Sequence, residues 1–174
     1  ALHQEVRIDS SDPTNIPGEI LTKGPNVLLG YYKNEEATSQ TIDKDGWFHT
    51  GDLGLMDEDG NVFIKGRSKN MLLGSNGQNI YPEEIEDKLN SLPLVNECLV
   101  IQSGEKLIAL VHPDYDEAQN LGLNADDIKN IMEENRTQLN AIVPAYCKVS
   151  EIRIHEEEFE KTPKKSIKRF LYTE

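Results

Sequence analysis

No stretch of this sequence approaches the roughly 20 consecutive apolar residues that a membrane-spanning helix requires. Nor does it open with the basic segment and apolar core of a secretory signal. Cysteine is scarce, with only Cys98 and Cys147, 49 residues apart in apolar surroundings, so two buried free thiols in a reducing compartment are expected rather than a disulfide. The four histidines (3, 49, 112 and 155) share no short ligand spacing with each other or with the cysteines, and no metal site is expected. Positive charge is the largest deficit. Eighteen Lys and Arg stand against 31 Asp and Glu, a net charge of -13, which excludes polyanion binding as the main task and makes nucleic acid an unexpected partner.

What is present suits a compact chain with a large wetted surface: 37% hydrophobic and 28% charged residues over 174 positions, enough for one domain or two small units. The expected location is cytoplasmic. The opening "ALHQEVRIDSSD" lacks methionine and starts as if in mid-strand, as an excised or processed chain would.

The first 66 residues read as strands and turns. "GEILTKG" and "NVLLGYY" are short extended runs, and "DKDG" and "DEDG" supply turn chemistry. "DEDG" lacks the ligand series of a calcium loop, so a turn is expected there. "VFIKGR" and "NMLLG" are strand-like runs flanking "GRSKN". After Asn79 the pattern becomes helical, with Pro82 suited to the first position, Glu83, Glu84 and Glu86 near the positive helix end, and Ile85, Leu89 and Leu92 on one face. "VNECLVI" and "KLIALV" read as strands joined by "QSGE". A second helix starts at an Asn124 cap, and "VSEIRIH" alternates as a half-buried strand.

Three polar stretches have two readings each. In "HTGD", Asp52 either makes an ordinary Asx turn or grips the vicinal hydroxyls of a ribose. In "GRSKN", Arg67 and Lys69 are solvated turn cations, or Arg67 holds a ribose or phosphate beside a pivot. The glycines of "GSNGQNIYPEE" cap strands, or let backbone approach a narrow ligand. A fourth stretch, "EKTPKKSIKRFLY", puts Lys161, Lys164, Lys165, Lys168 and Arg169 within nine residues of an acidic chain.

Taken together, "GEILTKGPNVLLGYY", "GWFHTGDLG", "GRSKNMLLGSNGQNIYPEEIE" and "KTPKKSIKR" resemble, in order and spacing over residues 18 to 171, the C-terminal third of the adenylate-forming acyl-CoA synthetase (AMP-binding enzyme) family. The loop "LGSNGQNIYP" looks most like the long-chain fatty acid CoA ligase branch. The resemblance implies two steps: carboxylate and ATP give an acyl-adenylate and pyrophosphate, then coenzyme A displaces AMP to form the thioester. It implies fatty acid, ATP, Mg2+ and coenzyme A for the full-length enzyme, with none bound by this part alone. It also implies a partner in the chain's own large N-terminal domain, and peripheral membrane contact is compatible with a lipid substrate.

Position by position, the resemblance gives Asp52 the ribose hydroxyls, Arg67 the ribose or α-phosphate, and Lys69 the hinge. Gly77, Gln78, Asn79, Ile80, Tyr81 and Pro82 would line the pantetheine tunnel. The family's terminal pattern, K-T-x-x-x-K-I-x-R, matches at Lys161, Thr162, Ile167 and Arg169, but Ser166 occupies the position of the second lysine. Lys165, one residue earlier, is the candidate catalytic lysine. The family's phosphate loop, adenine motif and magnesium-binding glutamate belong upstream and none is found here, so the part alone is expected to be inactive.

The expected fold is α+β. Residues 1–66 form a β-rich, barrel-like subdomain piece, 67–70 a hinge, and 71–174 a mobile lid domain with a mostly antiparallel sheet and flanking helices. Two further readings stay open: an adenylate-forming ligase for another carboxylic acid or with a carrier-protein acceptor, and a non-catalytic interaction module that keeps the fold.

Overall fold

The computed structural model describes residues 3–173, and the chain divides into two compact units with the boundary between Asn70 and Met71. The expectation of an opening in mid-strand falls partly on Ala1 and Leu2, outside the described residues; the first strand begins at Glu5.

In the first unit, β1 (Glu5–Asp9), β2 (Gly18–Lys23), β3 (Phe48–Met56) and β4 (Val62–Arg67) form an antiparallel sheet in the order β1-β2-β3-β4. Ile8, Ile20 and Leu21 are its buried side chains. A short helix, α1 (Glu35–Thr41), lies between β2 and β3, capped by Asn34 accepting from the Ala37 N–H at 3.0 Å. Among the described residues no sheet closes into a barrel, which corrects the barrel-like expectation. β1 and β4 are the two ends of the sheet and do not pair. "NVLLGYY" is likewise not a strand but a series of bends, with Leu29 and Tyr32 exposed.

The second unit opens with a two-residue ladder, β5 (Leu72–Leu73) against β6 (Asn79–Ile80), and continues directly into α2 (Pro82–Asn90). β7 (Val95–Ser103) and β8 (Lys106–Pro113) pair antiparallel. After α3 (Tyr115–Asn120) and α4 (Ala125–Ile142), β9 (Val149–Ile154) returns parallel to β8, giving a mixed sheet in the order β7-β8-β9. α4 begins with a reciprocal capping box: Asn124 accepts from the Asp127 N–H while Asp127 accepts from the Asn124 N–H.

Both faces of this sheet are covered, which explains why β7 and β8 read as nearly continuous apolar runs. Cys98, Val100, Leu107, Ala109 and Val111 meet Ile85 and Leu89 of α2 and Ile128, Met132 and Leu139 of α4. The alternate residues Leu99, Ile101 and Ile108 meet Phe159, with Ile167 and Tyr172 packed against them. The C-terminal segment is therefore a structural layer. Both cysteines are free and buried. Burial pushes the Cys98 thiol far above its usual range and that of Cys147 up to about 11.

One five-residue loop geometry occurs four times, at 43–47, 57–61, 74–78 and 162–166. In each, the first N–H donates to the fifth C=O and the fourth N–H donates to the first C=O. The fourth residue lies in the left-handed region: φ is +83° at Gly46 and Gly60, +78° at Gly77, and +63° at Lys165. Glycine adopts this conformation freely, whereas an L side chain pays about 1–2 kcal/mol there. Three loops use glycine and the fourth carries a lysine.

Candidate functional site

In the first unit the structure brings two of the sequence-selected residues into contact. The β3–β4 register sets Asp52 opposite Arg67, and Arg67 Nη1 donates to Asp52 Oδ1 at 2.7 Å and to the Thr50 carbonyl at 3.3 Å. Side-chain exposures of 34% and 47% leave both groups open to a ligand. The turn that presents them is held from β2. Glu19 accepts the Gly51 N–H at 2.8 Å with one oxygen and lies 2.8 Å from His49 Nδ1 with the other. Thr50 Oγ1 donates to the Ile20 carbonyl at 2.7 Å. Gly51 has φ +71°, a left-handed conformation that favours glycine; a Cβ there would make only ordinary contact with the Arg67 guanidinium, at 3.4 Å. Glu19 and His49 were not selected from sequence; Glu19 reaches Gly51 across 32 residues and His49 across 30, which left no local signal.

Lys69 is exposed in the 3-10 turn Ser68–Asn70, at the end of the first unit.

In the second unit, Gly77 to Pro82 runs from the tip of the β5–β6 loop into the first position of α2. No atom lies within 4 Å of where a Gly77 Cβ would be, so the backbone at this tip is uncovered. Gln78 and Asn79 are exposed while Ile80 and Pro82 are buried, so the segment is half ligand-accessible and half anchored. A polar cleft of about 220 Å3 adjoins the loop, lined by Ser75, Asn76, Gln102, Lys106, Tyr146 and Lys148 among others.

The basic C-terminal segment is a hairpin arm. Thr162 N–H bonds the Ser166 carbonyl, Lys168 N–H bonds the Glu160 carbonyl, and Lys161 bridges to Ile167. Pro163 follows Thr162 in the turn, where its fixed φ fits, and Lys165 takes the left-handed position. Three of the five cations are engaged in holding the arm: Lys161 pairs with Glu97, Lys168 with Glu160 at 3.0 Å, and Arg169 with Glu86. Lys164 and Lys165, at the exposed tip, make no ion pair among the described residues. Ser166 is also exposed; its N–H approaches Thr162 Oγ1 at 3.3 Å.

Glu86 and Glu97 were missed as site-building residues. Glu86 reads in sequence as one more acid near a helix start, but it is buried, and burial raises its carboxyl from 4.5 to about 7 against the opposing Arg169 charge and the Val100 N–H. A signal existed: the buried residues Pro82, Ile85, Glu86 and Leu89 follow an i, i+3, i+4, i+7 stripe, placing a carboxylate on the apolar face.

Comparison with known proteins bears on these sites. Over 94 residues (54% of this chain and 19% of the relative), the sequence is 48% identical to a 2-succinylbenzoate–CoA ligase of Bacillus cytotoxicus. It is 37% identical over 159 residues, 88% of this chain and 27% of the relative, to a probable acyl-activating enzyme 9 of Arabidopsis thaliana. The chain thus spans only about a fifth to a quarter of the length of these relatives. Its fold matches the adenylation domain of a carboxylate reductase from Mycobacterium chelonae with a TM-score of 0.82 at 21% identity, covering 96% of this chain and 29% of that one. The family model described as the AMP-binding enzyme C-terminal domain matches residues 69–174. That is more than half of the sequence, and the chain belongs to the AMP-binding enzyme C-terminal domain family.

Proposed function

We propose that this chain is the C-terminal part of an ATP-dependent acid–thiol ligase that joins a carboxylic acid to coenzyme A through an acyl-adenylate. The observation that carries the reading is the family match over residues 69–174. In the first step the carboxylate oxygen attacks the α-phosphorus of ATP and pyrophosphate leaves. In the second the thiol sulfur attacks the acyl carbon, AMP leaves, and the thiol proton passes to solvent.

Each cluster has a part that suits its chemistry. Asp52 accepts hydrogen bonds from both ribose hydroxyls, while Arg67, already oriented by Asp52 and Thr50, meets the ribose or α-phosphate. The uncovered backbone at Gly77, with Gln78 to Pro82, lines the path of the pantetheine arm, and Lys106 and Lys148 supply positive charge in the adjoining cleft. Lys165, with Lys164 beside it, brings charge to the phosphates during adenylation. Lys69 is the pivot between residues 1–66 and a lid of 71–174. Mg2+, when bound with ATP, would neutralise charge on the phosphates, and no residue of this chain is given a part in holding it. The nucleotide's remaining contacts belong to the rest of the ligase.

The acid is better drawn from a wider class than long-chain fatty acids. The Bacillus cytotoxicus relative is named for 2-succinylbenzoate, which is not a long-chain fatty acid. A second reading, a module that keeps the fold without adenylating, draws on Ser166, whose hydroxyl cannot replace a lysine's charge.

The test is carboxylate-dependent pyrophosphate exchange by the complete ligase with aryl, short-chain and long-chain acids, for wild type, Asp52→Ala and Lys165→Ala. Exchange is expected with at least one acid, falling on the order of 10²-fold in each variant. No exchange with any acid refutes the ligase reading. Full exchange by Lys165→Ala removes that lysine from the reaction.

A further inference from the structure

Among the described residues the outer edge of β7 has no strand beside it, since β7 ends the three-stranded sheet. At Val100 that edge is closed by two side chains instead. Glu86 Oε1 accepts the Val100 N–H at 2.6 Å, and Arg169 Nη1 donates to the Val100 carbonyl at 3.4 Å. Arg169 Nη2 closes the ring on Glu86 Oε2, with Glu83 Oε1 at 3.9 Å as a second, looser partner. A helix, a strand edge and the arm therefore meet at one ion pair, in which Glu86 is 8% exposed. An unsatisfied strand edge and an uncompensated buried charge are both costly, so this junction has one favourable arrangement.

The junction also sets the position of the hairpin. Arg169 directly follows Lys168, whose N–H is bonded to the Glu160 carbonyl at 2.8 Å. Three residues before Lys168, Lys165 donates to Thr162 at 2.8 Å. The other foot of the hairpin is fixed by Lys161 on Glu97, which is also on β7. Between the two feet the tip has no other described ion pair.

We infer that Glu86 and Arg169 are a positioning pair, which fixes the reach of the Lys164–Lys165 tip by anchoring one foot of the arm to the edge of β7. Neither residue touches the reacting atoms; both act through the tip. The effect on catalysis rests on the ligase reading above, whereas the effect on the arm does not.

The experiment uses the complete ligase carrying Glu86→Gln, Arg169→Met or Arg169→Lys. It is run at pH 8, above the value of about 7 to which the Glu86 carboxyl is raised, so that the pair is ionised. Three quantities are read: pyrophosphate exchange, transfer of a preformed acyl-adenylate to coenzyme A, and native tryptic cleavage after Lys164 and Lys165, followed by mass spectrometry. In Glu86→Gln and Arg169→Met, cleavage at the tip is expected to rise about tenfold or more. The kcat of exchange is expected to fall on the order of tenfold to a hundredfold, with KM values held within about twofold. Arg169→Lys, which keeps the charge but not the two-point fork, is expected to fall between. Adenylate transfer is expected to change less than exchange.

Unchanged cleavage together with unchanged exchange in any variant that retains the wild-type melting profile overturns the inference. So does increased cleavage with exchange at the wild-type rate. If the wild type exchanges with no acid, the ligase reading fails and the cleavage comparison alone decides whether the pair holds the arm. Glu86→Gln is nearly isosteric and keeps an acceptor for Val100, so it supplies the answer if Arg169→Met does not fold.

Discussion

Replacing Glu86 with Gln gives a sharp test of which force governs its site. Burial raises this carboxyl from 4.5 to about 7, opposed by the Arg169 guanidinium and the Val100 N–H and reinforced by Glu83; Cys98, the other titratable neighbour, stays a neutral thiol. Between those two values the folded chain holds a proton that the unfolded chain has released. Stability therefore falls as pH rises through this interval, the reverse of an ordinary salt-bridged acid. Each pH unit is worth about 1.4 kcal/mol, so the full interval amounts to about 3 kcal/mol, as an order of magnitude. The assay is urea unfolding from pH 5 to 8, followed by far-UV circular dichroism, a signal dominated by α2 and α4 of the second unit. Trp47, the only tryptophan, lies in the first unit, so its fluorescence serves as an internal control. Subtracting the Gln variant's stability from that of wild type cancels the other titrating groups. The difference is expected to decline with pH and level off above about 7. A flat difference, or one that rises with pH, refutes the reasoning and means that the Arg169 charge outweighs burial.

Lys165→Gly places glycine in the fourth loop as in the other three. Relief of the left-handed conformation, less glycine's greater unfolded freedom, should stabilise the chain by about 0.5–1 kcal/mol in chemical denaturation. The same change should lower pyrophosphate exchange in the complete ligase. Neither thiol should react with Ellman's reagent at pH 8 in the folded chain, and two should react after unfolding, because Cys98 and Cys147 are buried with raised pKa. Leu89→Ala, at a fully buried position between α2 and the sheet, should cost about 2–5 kcal/mol in the same unfolding assay. Lys69→Pro should affect adenylation and thioester transfer unequally if Lys69 is the pivot; equal losses in the two half-reactions would count against it.

Features set by near neighbours were readable in the residues. The Asn124 cap, the Pro82 start of α2 and the β7–β8 pair all announce themselves within a few positions, through side chain to backbone bonds or apolar runs. Features that need a distant partner were not. "NVLLGYY" has the composition of a strand, but no neighbouring strand bonds it, and it becomes a series of bends. Closure into a barrel depends on whether β1 meets β4, about which neither strand's residues carry information. α1 has no buried residue and hence no apolar stripe to reveal it. At the candidate sites, Asp52, Arg67 and the Gly77 loop each had an ordinary turn reading on their own residues and stood out only through the resemblance of the four blocks in order. Their supports, Glu19, Glu86 and Glu97, are ordinary acids until the chain brings them to a strand edge or a turn.

The two covered faces of the β7-β8-β9 sheet bear on how the arm can be studied. Cutting the chain before Phe159 would remove two cations from the tip, but it would also strip Leu99, Ile101 and Ile108 of their cover. A truncated protein of that kind would expose a greasy sheet surface and lose solubility, and its inactivity would say nothing about lysine chemistry. In this domain the basic tip and the roof of the sheet are the same piece of chain, so only point substitutions can tell them apart.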